Sequence, residues 1–98
     1  MTKTGKNAAL ELMAEKTFRS HNTDVIKNPN GVYYLTLYGN SIAKLNQGKL
    51  SITTAGWKSR TTVDRLNCLP NVSVSYKHRK LTLNGKEWGG NWITITNN

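Results

Sequence analysis

Cysteine, acidic side chains and long apolar runs are all scarce in this chain of 98 residues. The single cysteine, Cys68, excludes an intramolecular disulfide. Residues 1–16 are polar and mixed and lack the apolar core of a secretory signal, which favours a reducing, intracellular setting. No apolar run approaches the roughly 20 residues that a membrane-spanning helix needs. We therefore expect a soluble, cytoplasmic protein with no membrane partner.

Residues suited to catalysis or metal binding are equally sparse. The two histidines, His21 and His78, have no second ligand at metal-binding spacing, and the five carboxylates are scattered along the chain. The glycines do not follow the spacing of a phosphate-binding loop. Cys68 precedes Leu69 and Pro70, as in an inert, buried thiol. The sequence thus predicts that the protein is not an enzyme and that it binds neither a metal nor a cofactor.

Basic residues are what the chain has in excess. Fourteen Lys and Arg against five Asp and Glu give a formal net charge of +9. Such an excess speeds encounters with anionic surfaces, and in a small domain it points first to nucleic acid. The alternative is that the charge serves only to keep the protein soluble.

Helical periodicity is present in two places. An amphipathic helix is predicted from Asn7, after a flexible N-terminus of residues 1–6, with an apolar stripe formed by Leu10, Met13, Ala14, Thr17 and Phe18. A shorter helix is predicted to start at Thr61 or Thr62, with Thr61 as its N-cap. Pro70 limits its length.

Elsewhere the apolar residues alternate with a period of two, which predicts strands separated by turns rich in Gly and Asn. The predicted strands are residues 23–27, 32–38, 41–46, 49–54, 72–77, 80–83 and 92–96. The predicted fold is α+β, in one domain over residues 7–97. It has a single antiparallel β-sheet, made of a meander plus a C-terminal hairpin and strand, with an N-terminal amphipathic helix and one short helix.

The start of the second helix is the first candidate binding site. A helix N-terminus attracts phosphate through its free N–H groups and its dipole. Lys58, Arg60 and Arg65 would add charge, and Trp57 could stack on a base. The alternative interpretation makes Trp57 a core anchor, the hydroxyls ordinary caps, and Arg65 a solvated or carboxylate-paired side chain.

A second basic cluster falls at the tip of the predicted C-terminal hairpin, beside Tyr76. It consists of Lys77, His78, Arg79 and Lys80. Residues at a hairpin tip are exposed whatever their role, but a cationic tip can also follow a nucleic-acid backbone. The candidate binding residues are therefore Trp57, Lys58, Arg60, Arg65, Lys77, Arg79 and Lys80.

Aromatic residues suggest two further roles. Tyr33, Tyr34 and Tyr38 near Lys44 are typical of a sheet face that stacks bases, although packing within the sheet is the favoured interpretation. Trp88 and Trp92 flank a Gly-Gly pair, and at least one of them is expected in the core.

Two stretches resemble a widespread set of small bacteriophage proteins. They are residues 37–43, Leu-Tyr-Gly-Asn-Ser-Ile-Ala, and residues 56–67, in which Gly-Trp is followed by Thr-Thr and then Arg-Leu-Asn. The resemblance covers about residues 24–70. The chain departs from the set at Ala55, where a second Gly is common, and in its added N-terminal helix. The resemblance implies a phage origin and a small accessory role, and it transfers no catalytic residue.

The leading hypothesis is a phage-encoded basic accessory protein that binds DNA or RNA in the host cytoplasm, mainly through backbone phosphates. The alternative is a protein–protein inhibitor or modulator of a host enzyme or of a defence, transcription or replication factor, acting in host takeover through contact with an acidic surface. A third hypothesis is a virion component that forms a homodimer through the final strand, residues 92–96.

Overall fold

The computed structural model describes residues 2–95. Over this range the helices are α1 (Lys3–Met13) and α2 (Arg60–Asn67). The strands are β1 (Phe18–Arg19), β2 (Thr23–Lys27), β3 (Tyr33–Leu37), β4 (Asn40–Asn46), β5 (Lys49–Ile52), β6 (Val74–Lys77), β7 (Lys80–Leu83), β8 (Lys86–Glu87) and β9 (Ile93–Thr94).

All described strand pairs are antiparallel, and they form two sheets. The larger sheet has the order β1-β2-β3-β4-β5-β9, and the smaller has the order β6-β7-β8. The α+β class and the meander are therefore confirmed. The prediction of a single sheet is wrong, because α2 follows β5 and packs against both β4 and β6, so the C-terminal hairpin begins a sheet of its own.

Helix α1 begins earlier than predicted. Thr2 is its N-cap, with the side-chain oxygen accepting from the Gly5 N–H at 3.1 Å, so the helix starts at Lys3 and not at Asn7. The helix ends at Met13, and Glu15 then turns the chain with a left-handed φ of 56°. Its predicted extension to Phe18 is wrong, since Phe18 starts β1.

The buried face of α1 also differs from the predicted stripe. Gly5, Ala8, Ala9 and Leu12 are buried, whereas Leu10 is 67% exposed. A Cβ added to Gly5 would lie 2.8 Å from the Sγ of Cys68, just after α2. The close approach of the two helices therefore requires small residues on this face, which a search for large apolar side chains overlooks.

The hairpin between β3 and β4 contains both a tight turn and a bulge. Tyr38 and Gly39 occupy the turn with φ values of 50° and 80°. The register shifts opposite Leu35 and Thr36, which pair with Ala43 and Ser41, so Ile42 is an extra residue on β4. The chain thus turns at Tyr38 and Gly39, and the bulge follows on β4.

Helix α2 is capped by Ser59 and not by Thr61. The Ser59 side-chain oxygen accepts from the Thr62 N–H at 3.2 Å, and Thr62 itself is buried. Asp64 accepts hydrogen bonds from Thr2 at the start of α1.

One core joins α1, α2 and both sheets. Its centre includes Leu12, Leu35, Ile52 and Leu66. Trp88 packs against this core, which confirms that at least one of the C-terminal tryptophans belongs there. Over residues 2–95, neither helix has the length and apolar character needed to cross a membrane.

The C-terminal segment around Gly90 is hydrogen-bonded to the residues that follow β5. The Gly90 carbonyl accepts from the Thr54 N–H at 2.9 Å and from the Thr53 hydroxyl at 2.6 Å. The predicted last strand is shorter than expected, since only Ile93–Thr94 pair with β5; residue 96 lies outside the described range.

Candidate nucleic-acid interface

The segment 57–60, which leads into α2, separates two depressions in the surface. Ser59 is extended (φ −77°, ψ 160°), and extended residues send successive side chains to opposite sides. Trp57 and Ser59 line a cleft on one side, whereas Lys58 and Arg60 line a groove on the other. The predicted site residues of this segment therefore serve two different surfaces.

Lys58 connects the two basic clusters. Its Nζ lies 5.8 Å from the centroid of the Tyr76 ring, within a groove that Arg60 also lines. A second, larger groove, of about 470 Å³, is lined by Lys58 together with Arg79 and Lys80. The start of α2 and the hairpin tip thus share one face.

We call this face the basic face. It comprises the exposed cations Lys58, Arg60, Lys77, Arg79 and Lys80 with the aromatic rings of Tyr76 and Trp88. Lys77 joins it through the register of the hairpin, in which Lys77 stands opposite Lys80. Trp88 lines the larger groove. The clustering of cations in the sequence does not predict this role, because Trp88 lies beyond both basic clusters in the chain.

The tip of this hairpin is locally unfavourable for folding. His78 and Arg79 both have positive φ values, 52° and 62°, in a turn that favours Asn-Gly. Each non-glycine residue in this conformation costs about 1–2 kcal/mol. Like charges directly opposite each other, as at Lys77 and Lys80, are also destabilising. The tip therefore keeps its cations at a cost to stability.

One carboxylate borders the larger groove. Glu87 Oε1 lies 3.4 Å from Lys80 Nζ, and both side chains are largely exposed. Ion pairs of this kind contribute little to stability and are screened by salt. Glu87 therefore lowers the positive potential of the groove without holding Lys80 in place.

Arg65 does not belong to the basic face. It is only 6% exposed, and its guanidinium donates to the hydroxyls of Thr23 and Thr2, each at 2.8 Å. It also donates to Asp64 Oδ2 at 2.7 Å and to Asn22 Oδ1 at 3.3 Å. The prediction that Arg65 contacts phosphate is corrected, because these bonds use the side chain to join α2 to β2 and to the cap of α1.

Asp64 and Cys68 titrate in keeping with this packed region. Burial acts to raise the pKa of Asp64, but hydrogen bonds from Thr2 and Arg65 outweigh it and hold the pKa below its usual 3.8. Burial, together with the charge of Asp64, raises the pKa of Cys68, so the thiol stays protonated. Within residues 2–95, no three His, Cys, Asp or Glu side chains lie close enough to hold a metal ion.

The cleft on the other side of segment 57–60 contains two exposed aromatic rings. Trp57 is 58% exposed and Tyr38 is 70% exposed, so the interpretation of Trp57 as a core anchor is wrong. The sequence pattern groups Tyr38 with Tyr33 and Tyr34 on the sheet. Because Tyr38 occupies the β3–β4 turn, it leaves the sheet face and joins Trp57 in the cleft.

The other tyrosines are placed differently. Tyr33 packs against the core, as the packing interpretation predicted, and Tyr34 pairs with Lys44 across the sheet. Lys44 Nζ lies 4.5 Å from the centroid of the Trp92 ring, which gives this lysine a local partner away from the basic face.

The fold and the basic face define a small α+β protein with an exposed cationic surface. The model of the family described as Kyanoviridae Gp96 protein matches residues 1–94, and the chain belongs to this bacteriophage family. The expectation of a small phage protein is thereby confirmed. Neither a curated protein nor a solved structure matches the chain.

Proposed function

We propose that this phage protein binds nucleic acid through backbone phosphates at the basic face. The observation that carries the proposal is the position of Lys58, which lines one groove with Arg60 and another with Arg79 and Lys80. Residues from two distant parts of the chain thus present their cations together. A positive strip of this kind attracts the evenly spaced charges of a nucleic-acid backbone.

The local chemistry supports a binding role over simple solubility. Cations that only keep a protein soluble can lie anywhere on its surface, with no reason to occupy a strained turn. Arg79 lies in a left-handed conformation at the hairpin tip, next to the like-charged pair Lys77 and Lys80. Local features that oppose folding concentrate at functional sites. Tyr76 and Trp88 add aromatic surface on which sugars or bases can pack.

The proposal predicts a steep dependence of affinity on salt. Each phosphate contact contributes about −0.7 to −0.9 to the slope of log K against log salt concentration. Three to five contacts would therefore give a slope of about −2 to −4. Fluorescence anisotropy with labelled oligonucleotides, from about 50 to 200 mM salt, measures this slope directly.

A matched pair of variants tests the location. Lys58→Gln/Arg79→Gln/Lys80→Gln removes three cations of the basic face. Lys3→Gln/Lys16→Gln/Arg19→Gln removes three exposed cations that line neither groove, and both variants lower the net charge by three from +9. We expect the first variant to flatten the slope by about 2–3 and the second to leave it nearly unchanged.

Equal losses in the two variants would show non-specific attraction by net charge and would contradict the proposal. Absence of binding to DNA and RNA at low salt would also contradict it. In that case, one host protein captured from infected cells after nuclease treatment, and lost with the first variant, would favour an acidic protein partner instead.

A further inference from the structure

The cleft between Trp57 and Tyr38 extends this function to a particular class of ligand. We propose that the cleft holds one unpaired base of a single-stranded nucleic acid whose backbone lies on the basic face. The inference rests on the proposed function, and it adds the preference for single strands and the role of Tyr38.

Both rings stand on fixed backbone positions. Trp57 closes a tight turn through Ala55 and Gly56, and its backbone N–H donates to the Thr54 carbonyl at 3.0 Å. The Tyr38 N–H donates to the Asn22 carbonyl at 2.8 Å, and the Asn22 side-chain amide lies 3.4 Å from the Tyr38 hydroxyl. Backbone positions held in this way reduce the entropy that is lost when a flat ligand enters the cleft.

Asn22 is itself oriented by the buried polar network. Its Oδ1 accepts from the Thr23 hydroxyl at 2.8 Å and from Arg65 at 3.3 Å. The amide nitrogen is thereby directed towards Tyr38. Arg65 thus reaches the aromatic cleft only through Asn22, and its own hydrogen bonds hold the fold together.

The cleft has the chemistry of a base-binding pocket. Leu37 and Ile42 contribute apolar lining, whereas Asn40 and Thr61 contribute an amide and a hydroxyl that can donate and accept hydrogen bonds. A base combines flat apolar faces with a polar edge and stacks well on aromatic rings. The volume of about 340 Å³ lies at the lower end of the range for small-ligand pockets, about 300–1,000 Å³.

Tyr38 is a poor choice for stability at its position. It has a φ of 50° in a two-residue turn where Asn, Asp or Gly is preferred, and its ring is largely exposed. Like Arg79 at the tip of the β6–β7 hairpin, it occupies a left-handed position with a side chain suited to binding. A large, exposed ring at such a position, beside the cleft, points to a use for the ring itself.

The position of the cleft favours a single strand over a duplex and over an apolar peptide. Lys58 and Arg60 lie across segment 57–60 from Trp57, so a strand that crosses this segment can place a phosphate on the cations and a base in the cleft. A base within a duplex is paired and stacked and cannot enter. An apolar peptide would gain nothing from the neighbouring cations.

Two variants remove the rings, and a third serves as control. Tyr38→Asn removes one ring while supplying a residue that suits the turn, so it is expected to fold at least as well as the parent. Trp57→Leu removes the other ring. Trp92→Leu removes a tryptophan that is 44% exposed but does not line the cleft. The probes are a labelled oligothymidylate of about 12 nucleotides and a mixed-sequence duplex of the same length.

We expect Tyr38→Asn and Trp57→Leu each to weaken binding of the oligothymidylate by about 5- to 100-fold. The salt slope should stay the same, since no phosphate contact is lost, and binding of the duplex should not change. Trp92→Leu should bind both probes like the parent.

If Tyr38→Asn binds the single strand as the parent does, while the salt slope still depends on Lys58, Arg79 and Lys80, this inference is overturned. The proposed function would then still stand. Equal weakening for the single strand and the duplex would also overturn it. Failure of the parent protein to bind either probe at low salt would instead remove the proposed function, and this inference with it.

Discussion

Arg60 and Arg65 belong to the same short helix and have opposite surroundings. Arg60 is exposed and lines a groove of the basic face. Arg65 is buried and donates to Thr2, Asn22, Thr23 and Asp64. The contrast shows that an arginine contributes to a binding surface only when its hydrogen bonds are not already used within the fold.

The same contrast separates two polar regions of the molecule. The network around Arg65 lowers the energy of the fold, since its buried donors and acceptors have partners. The hairpin tip raises that energy, since it holds left-handed His78 and Arg79 and the like-charged pair of Lys77 and Lys80. Substitutions in the first region should therefore change stability, and substitutions in the second should change binding.

The largest effect is expected at Arg65. Arg65→Met should lower the free energy of unfolding by about 3–5 kcal/mol, because it removes a buried guanidinium that donates to Asp64, Thr2, Thr23 and Asn22. Arg60→Met should change it by less than about 0.5 kcal/mol. Urea unfolding followed by circular dichroism measures both values. Similar losses in the two variants would erase the distinction between the arginines.

A double substitution at the hairpin tip should separate stability from binding. His78→Asn/Arg79→Gly supplies the preferred turn residues and should stabilise the protein by about 1–2 kcal/mol. It also removes one cation, so the slope of log K against log salt concentration should become shallower by about 0.7–0.9. His78→Asn alone, which keeps Arg79, is the control for binding. If stability and affinity rose together, the tip would have no role in binding.

Acid should weaken the Arg65 network through Asp64. The pKa of Asp64 is lower in the folded protein than its usual 3.8, so its stabilising contribution is complete above that value and is lost as the pH falls through the folded pKa. Urea unfolding at a series of acidic pH values should show this loss. In Asp64→Asn the corresponding part of the pH dependence should disappear; its persistence would assign the acid sensitivity to other carboxylates.

The smallest effect is expected at Glu87, and it has the opposite sign. Glu87→Gln removes a negative charge from the edge of the larger groove and should tighten nucleic-acid binding about two- to fivefold at low salt. Glu11→Gln, on α1, is the matched control and should have no such effect. Weaker binding in Glu87→Gln would mean that Glu87 contacts the ligand or orients Lys80.

Local signals in the sequence were sufficient to locate β2 to β7 and β9, but not the two-residue strands β1 and β8. Turn pairs such as Gln47-Gly48 and Asn84-Gly85 mark where strands end, and the meander follows from their spacing. The start of α1 was missed because Thr2 caps it in concert with Asp64, which is 62 residues away. Contacts of that kind leave no periodic trace in the sequence.

In the candidate site, too, local sequence signals predict some features, and others depend on contacts between distant residues. The cations of the basic face were predicted from their clustering in the chain, but their assembly around Lys58 depends on how the small sheet packs beside α2. Arg65 carried the same sequence signal as Arg60, and only burial separates them. The period-two pattern of residues 32–38 places Tyr38 in a strand. A Tyr-Gly pair between two predicted strands could have indicated a turn.

The most direct test of the account is a nuclear magnetic resonance titration of the isotope-labelled protein with a single-stranded oligonucleotide. The account predicts that amide shifts concentrate at residues 38–40, 57–60, 76–81 and 88–89, and that the amides of Asp64 and Arg65 move little. Shifts concentrated on α1 or on the β1–β2 edge, with the basic face unaffected, would contradict it.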